Sequence, residues 1–377
     1  MKMIKRTIQI LAFIGFVIHS SCQSTTNEVQ EEEGVNEMNG LRIIDEYIIP
    51  DVELFDNTEI GGLSGIDYAN GTWYMISDAG NAPIRFYTAD IDFDENGFNS
   101  FEITNVIELK DASGATFANG IVDPESIRVT PNGNLVWSSE GNVDEGVDPA
   151  VLFASVDGTY ISEATLADKF KVSEDEESGP RHNAVFEGLS LEYNGNGYWV
   201  ATEHPLLQDG RAPGIQDTES PVRIANINED GTFGKEFAYE LDPVARRASV
   251  FSITVSGLVE ILEYDEDKFF VLERSFSTGF SDGGNTVKIY DVDASLATDV
   301  SSIEALAGAS FEKATKTLLF DFETIRDQLT NGIVDNIEGI TFGPELENGK
   351  RSLVVVADNN FSSFGAQLNQ FILLEIE

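Results

Sequence analysis

Thiols, imidazoles and positive charge are what this chain has least of. Its single cysteine, Cys22, excludes an intrachain disulfide and any zinc site built from thiolates. Of three histidines, His19 falls in the N-terminal leader, which leaves only His182 and His204 for the rest of the chain. A histidine-rich transition-metal site is therefore set aside, while hard cations bound through oxygen stay open. Basic residues number 23 against 66 acidic ones, a net charge of −43. A chain so charged repels a phosphate backbone, which excludes nucleic-acid binding. Acidic residues at this density keep a surface hydrated and screened in salt, and most of them need no further role. With 377 residues, 41% of them hydrophobic, the chain can bury a sizeable core.

The N-terminus reads as an export leader. Lys2, Lys5 and Arg6 precede an apolar run, Ile8 to Ile18, which is too short to span a bilayer and is followed by Ser20, Ser21 and Cys22. Residues 1–22 are expected to be a lipoprotein signal peptide with Cys22 as the lipidation site, although His19 stands where Leu is usual. Residues 23–39 are polar, acidic and aperiodic, a flexible tether. The expected location is an exported one: an outer-membrane or cell-surface lipoprotein, otherwise periplasmic or secreted, touching the membrane through the lipid alone.

From residue 40 to the end the chain repeats itself. Ser64-Gly65-Ile66, Glu125-Ser126-Ile127, Glu187-Gly188-Leu189, Ser256-Gly257-Leu258 and Glu338-Gly339-Ile340 each open an apolar strand. A polar turn follows, Asn70-Gly71, Asn132-Gly133, Asn194-Gly195, Glu266-Asp267 or Asn348-Gly349, and then a second apolar strand. Asn-Gly between two such strands is a strong hairpin signal. Ser64 to Glu125, Glu125 to Glu187, Glu187 to Ser256 and Ser256 to Glu338 are 61, 62, 69 and 82 residues apart. Further strands are expected at 85–91, 151–156, 223–228 and 287–292, with outer strands at 105–109, 236–241 and 316–322. Four strands per unit at this spacing predict an all-β chain, a β-propeller. Five blades are counted. The 82-residue interval leaves room for a sixth, although residues 325–331 read as a small helical excursion. The last unit ends at residues 370–376 without its fourth strand, and Leu41–Ile49 is expected to supply it and close the ring.

The repeat places chemistry. In an antiparallel hairpin the start of one strand lies beside the end of the next. The residues opening each first strand (Glu125, Glu187, Glu338) should therefore meet those closing each second strand (Asp78, Glu140, Glu203, Glu273, Asp358) at one end of the central axis. Crowded carboxylates raise one another's pKa and call for compensation. A hard cation such as calcium can supply it with six to eight oxygen ligands, and so can arginine. Arg181 lies before Glu187, Arg274 follows Glu273, and Asp335-Asn336 precedes Glu338.

Gly62-Leu63-Ser64-Gly65-Ile66-Asp67, Asp123-Pro124-Glu125-Ser126-Ile127, Gly179-Pro180-Arg181-His182-Asn183 with Phe186-Glu187-Gly188-Leu189, Glu273-Arg274-Ser275-Phe276 and Asp335-Asn336-Ile337-Glu338-Gly339 together resemble the phytase-like family, also described as having esterase-like activity of phytase. The resemblance spans residue 40 to the C-terminus. It implies an exported propeller that hydrolyses phosphate esters with calcium, the metal bridging an anionic substrate to an acidic face. On that reading Glu125, Glu338, Asp78, Glu203, Asp358 and Asp335 are metal ligands, and Glu187, Arg181 and Arg274 are catalytic. The family commonly has Asn where this chain has His182, so no role is assigned to that histidine. Two other readings stand beside this one. A carboxylic esterase would use Ser64, Ser256 or Ser275 as nucleophile, without a Gly-x-Ser-x-Gly elbow. A non-enzymatic propeller would bind a partner at the cell surface.

Overall fold

The strands fall where β-branched and aromatic residues cluster between polar turns. A computed structural model describes residues 40–50, 52–173, 177–195, 197–216, 218–363 and 365–377. The signal peptide, Cys22 and the tether lie outside the described residues. Among the described residues no helix is long and apolar enough to cross a membrane.

After β1 (Leu41–Ile49) and a minor hairpin of β2 (Leu54–Phe55) and β3 (Thr58–Glu59), five four-stranded antiparallel sheets account for the remaining strands. Blade 1 is β4 (Leu63–Ala69), β5 (Thr72–Ser77), β6 (Arg85–Asp94) and β7 (Gly97–Glu108). Blade 2 is β8 (Pro124–Val129), β9 (Leu135–Ser139), β10 (Ala150–Ala154) and β11 (Tyr160–Glu163). Blade 3 is β12 (Phe186–Leu191), β13 (Gly197–Thr202), β14 (Pro221–Asn228) and β15 (Phe233–Glu240). Blade 4 is β16 (Thr254–Asp265), β17 (Lys268–Ser277), β18 (Asn285–Asp293) and β19 (Thr315–Asp321). Blade 5 is β20 (Ile337–Phe342), β21 (Ser352–Ala357), β22 (Asn369–Ile376) and, as its outer strand, β1. β1 pairs antiparallel with β22 from Leu41 opposite Ile376 to Ile49 opposite Asn369, so the two ends of the propeller close the ring as expected. The long interval of blade 4 holds longer strands, a loop at 294–314 and a 3₁₀ turn at Phe322–Gln328, and no sixth blade. The outer strand of blade 2, Tyr160–Glu163, is short, polar at two of its four positions and mostly exposed, and carries no strand signal of its own in the sequence.

The second strand of each hairpin is sandwiched between neighbouring blades. β9, β13 and β21 are buried along their whole length, which is why they read as unbroken apolar runs and not as alternating ones. Trp73, Trp137 and Trp199 are fully buried, each stabilising the fold by about 3 kcal/mol. Neighbouring inner strands touch in the closed order β4, β8, β12, β16, β20 and back to β4. The glycine of the repeat makes this approach feasible. A Cβ on Gly65 would meet the Glu125 carbonyl oxygen at 2.7 Å, and one on Gly339 would meet that of Ser64 at 2.9 Å.

The axis is bolted by an ion pair. The Arg128 guanidinium, on β8, sits 2.8 Å from the Glu260 carboxylate, on β16, and both are buried. Arg128 also donates to the carbonyls of Ile66 on β4 (2.6 Å), Ile261 on β16 (3.3 Å) and Ile340 on β20 (3.2 Å). Glu260 accepts from the Ser126 hydroxyl on β8 and the Leu189 amide on β12, each at 2.6 Å. One residue pair thus ties all five inner strands. Burial pushes the Glu260 carboxyl up to about 7 against the opposing pull of Arg128.

Candidate functional site

All five inner strands begin at the same mouth of the ring, and all five second strands end there. Ser64, Glu125, Glu187 and Glu338 are the second residues of β4, β8, β12 and β20 and Ser256 the third of β16, and Asp78, Glu140, Glu203 and Asp358 follow the ends of β5, β9, β13 and β21. The antiparallel register brings the two sets together: Leu63 faces Ser77, Pro124 faces Ser139, Phe186 faces Thr202 and Ile337 faces Ala357.

Two groups of oxygens result. Asp78, Asp123 and Glu125 present carboxylate oxygens that all lie within 4.8 Å of one another, and so do Glu125, Glu140 and Glu187. The first group is partly exposed at Asp78 and Asp123, and the second is wholly buried. Glu140 directs one oxygen at the Val185 amide, while its other oxygen, Oε2, is buried without a hydrogen-bond partner. On the opposite side of the mouth Arg274 enters from β17. It donates to Asn336 Oδ1 (2.6 Å), lies 3.2 Å from Glu338 and 3.5 Å from Glu203, and its Nε is buried without a partner. Asn336 passes a hydrogen bond on to Glu338 (3.0 Å).

The electrostatics follow from burial and crowding. Burial pushes Glu125 well up, with Glu187 and Asp78 adding like charge. It does the same to Asp78, beside Asp123 and Asp358, to Glu140, beside Glu203, and to Glu187, beside Glu140 and Glu203. Asp358 is raised by burial to about 7, and Glu338 to about 8 despite Arg274. The donor set is all oxygen and largely ionisable, with one buried oxygen unbonded. That chemistry fits a hard cation such as calcium and does not suit a soft one.

Glu125, Glu187, Glu338, Asp78, Glu203, Asp358 and Arg274 converge on this mouth. Asp335 lies next to it but spends its carboxylate on backbone and amide groups, the Leu368 amide at 2.7 Å, the Asn336 amide at 2.9 Å and Gln367 Nε2 at 3.2 Å. It orients Asn336 rather than offering a free oxygen. Arg181 reaches none of the carboxylates. Its guanidinium donates to the Pro205 carbonyl (2.9 Å) and the Gly210 carbonyl (2.8 Å), fastening the loop after β13. Glu273 is a correction to the expected ring. Successive strand residues point to opposite faces, so when Arg274 faces the mouth Glu273 turns away, accepting from Tyr239 (2.5 Å) and Lys316 (2.6 Å). Among the described residues no histidine is hydrogen-bonded to the Ser64, Ser256 or Ser275 hydroxyl, and Ser64 Oγ donates to the Pro124 carbonyl (3.3 Å). His204 Nε2 donates to the Ser256 carbonyl (3.0 Å), not to its hydroxyl, and Ser275 Oγ accepts from the Ala245 amide (3.0 Å). Exposed His182 lies 3.7 Å from Asp144.

Asp123 and Glu140 complete the acidic groups and were not singled out as ligands from the sequence. Asp123 had a signal, since it stands two residues before Glu125 and an extended chain presents both on one side. Glu140 had the strand-end position of Asp78 and Glu203.

A family model described as phytase-like, esterase-like activity of phytase, matches residues 58–361. No curated protein matches the chain. Among solved structures it is similar to an endo-arabinase from Bacteroides thetaiotaomicron, with 14% identity, 83% of this chain and 93% of that one covered, and a TM-score of 0.42. A xylan β-1,4-xylosidase from Bacillus halodurans gives 10% identity, 82% and 52% coverage and a TM-score of 0.44. The catalytic domain of an α-L-arabinofuranosidase from Coprinopsis cinerea gives 10%, 90% and 97%, and 0.41.

Proposed function

The chain belongs to the phytase-like family, and from that premise we propose that it is a calcium-dependent hydrolase of phosphate esters working at the acidic mouth of its propeller. The observation that carries the reading is the pairing of an all-carboxylate pocket, with a buried oxygen of Glu140 left unbonded, and a guanidinium, Arg274, across the same mouth. Asp78, Asp123, Glu125, Glu140 and Glu187 would hold calcium. Bound there, calcium neutralises phosphate oxygens and lowers the pKa of water.

The protein's own groups supply the rest. Arg274 binds the anionic ester, its fork held in place by Asn336, Glu203 and Glu338. Glu187, holding calcium through one oxygen, acts through the other as general base toward the attacking water. Asp358, pushed up to about 7 by burial, supplies a proton to the leaving oxygen. Arg181 acts at a distance, by holding the rim loop. The chain is exported and anchored to the outer membrane or cell surface through Cys22, with residues 23–39 as spacer.

The test is phosphate release from simple and polyol phosphate esters by the purified chain, with calcium and after chelation. Release that requires calcium is expected. Equal inactivity in both states on every ester would overturn the reading. For the anchor, a clickable palmitate analogue should label the expressed chain, and the label should vanish in Cys22→Ser.

A further inference from the structure

We infer that the mouth holds two divalent cations of unequal character, an inner one and an outer one, sharing Glu125 as a bridging ligand. This deepens the calcium reading above and rests on it only for the nature of the ion.

The geometry supplies two triads, not one ring. Glu125 belongs to both, and a carboxylate has two oxygens to give. Carboxylate oxygens within 4.8 Å of one another repel strongly when ionised in a largely buried space. The five carboxylates Asp78, Asp123, Glu125, Glu140 and Glu187 carry five negative charges when ionised. A single divalent ion leaves three of them uncompensated in a largely buried space, whereas two ions leave one. The unbonded oxygen of Glu140 is independent of this count. Glu140 is 2% exposed, its Oε1 is taken by the Val185 amide, and a buried oxygen without a donor is costly unless something else meets it. Arg274, the cation nearest at hand, is engaged with Glu203 and Glu338 instead.

The two positions differ in access and in what they join. The inner triad is buried and links blade 2 to blade 3, with Glu125 from β8, Glu140 after β9 and Glu187 from β12. The outer triad, partly exposed at Asp78 and Asp123, links blade 1 to blade 2 through those two residues. The inner ion is therefore retained and braces the fold. The outer ion keeps room for water or substrate and exchanges.

Calorimetric titration of the full chain, stripped by chelator, with calcium alone tests this. Two sites are expected, the inner one at least tenfold tighter and responsible for most of the rise in melting temperature. Glu140→Gln should remove the tight site and its thermal increment. Asp78→Asn and Asp123→Asn should each remove the weak site and keep both the tight site and the increment. Glu125→Gln should weaken both. A stoichiometry of one, or loss of the same site in Glu140→Gln and Asp78→Asn, would overturn the inference. Should Glu140→Gln fail to fold, the two outer variants still decide, since each must leave one tight site. Two sites without ester turnover would overturn the hydrolase reading and leave this one standing. Turnover with a single bound calcium would do the reverse.

Discussion

Replacing Arg128 with Met probes whether the axis is held as the structure implies. Met keeps most of the side-chain volume and removes the charge. The change leaves the Glu260 carboxylate buried and unpaired, and strips a donor from the carbonyls of Ile66, Ile261 and Ile340. Breaking a buried pair from one side costs about 3–5 kcal/mol. For a domain of this size that lowers the melting temperature by about 4–7 °C. The loss should shrink toward pH 5, because Glu260, already pushed up to about 7 with its partner present, protonates more readily without it. Removing both charges, as Arg128→Met with Glu260→Met, should be less damaging than Arg128→Met alone. Urea unfolding at pH 5 and pH 8 reads all three effects. A single variant within about 1 kcal/mol of wild type, or a double variant whose loss equals the sum of the two single losses, would refute the account of the axis.

Other expectations concern the mouth. Carboxyls raised by burial and crowding bind more protons in the folded chain than in the unfolded one. Their stabilising effect is complete below the unfolded pKa of about 4 and is lost as pH rises through the folded values, about 7 for Asp358 and about 8 for Glu338. The melting temperature of the chelated protein should therefore fall from pH 5 to pH 8, and calcium should flatten the fall. A rise with pH in chelator would contradict this. Arg274→Lys keeps the charge but loses the fork that spans Asn336 and Glu338, so KM for a phosphate ester should rise about tenfold with a smaller change in kcat, by steady-state kinetics. Glu273→Gln should cost about 1–3 kcal/mol in chemical denaturation through its bonds to Tyr239 and Lys316, with calcium affinity and ester turnover unchanged.

Much of this molecule is local, and locality is what a sequence carries. Asn-Gly turns between apolar runs, the recurring Ser/Glu-Gly-apolar opening and an unpaired strand at Leu41–Ile49 were enough for a propeller of five counted blades closed by its own N-terminal strand, because hairpins pair neighbours in the chain and their antiparallel run fixes which end of each strand meets which. That same reasoning placed Glu125, Glu187, Glu338, Asp78, Glu203 and Asp358 at one mouth. It failed at blade 4, where Glu273 and Arg274 are adjacent and only the register, Gly257 opposite Arg274, decides which of them faces the axis. It could not tell that Arg181 and Asp335 spend their polar atoms on backbone groups, because those partners, Pro205, Gly210 and Leu368, are brought up by loops with no repeat of their own. Nor could it find the Arg128–Glu260 bolt, whose members stand on blades 2 and 4 and meet only when five strands close around one axis. The sequence by itself determined the hairpins and the end at which their acids gather, while the structure removed the sixth blade that the long interval left open. Only the tertiary structure decided which of those acids share an ion and which are spoken for, because that depends on side-chain register and ring closure between residues far apart in the chain.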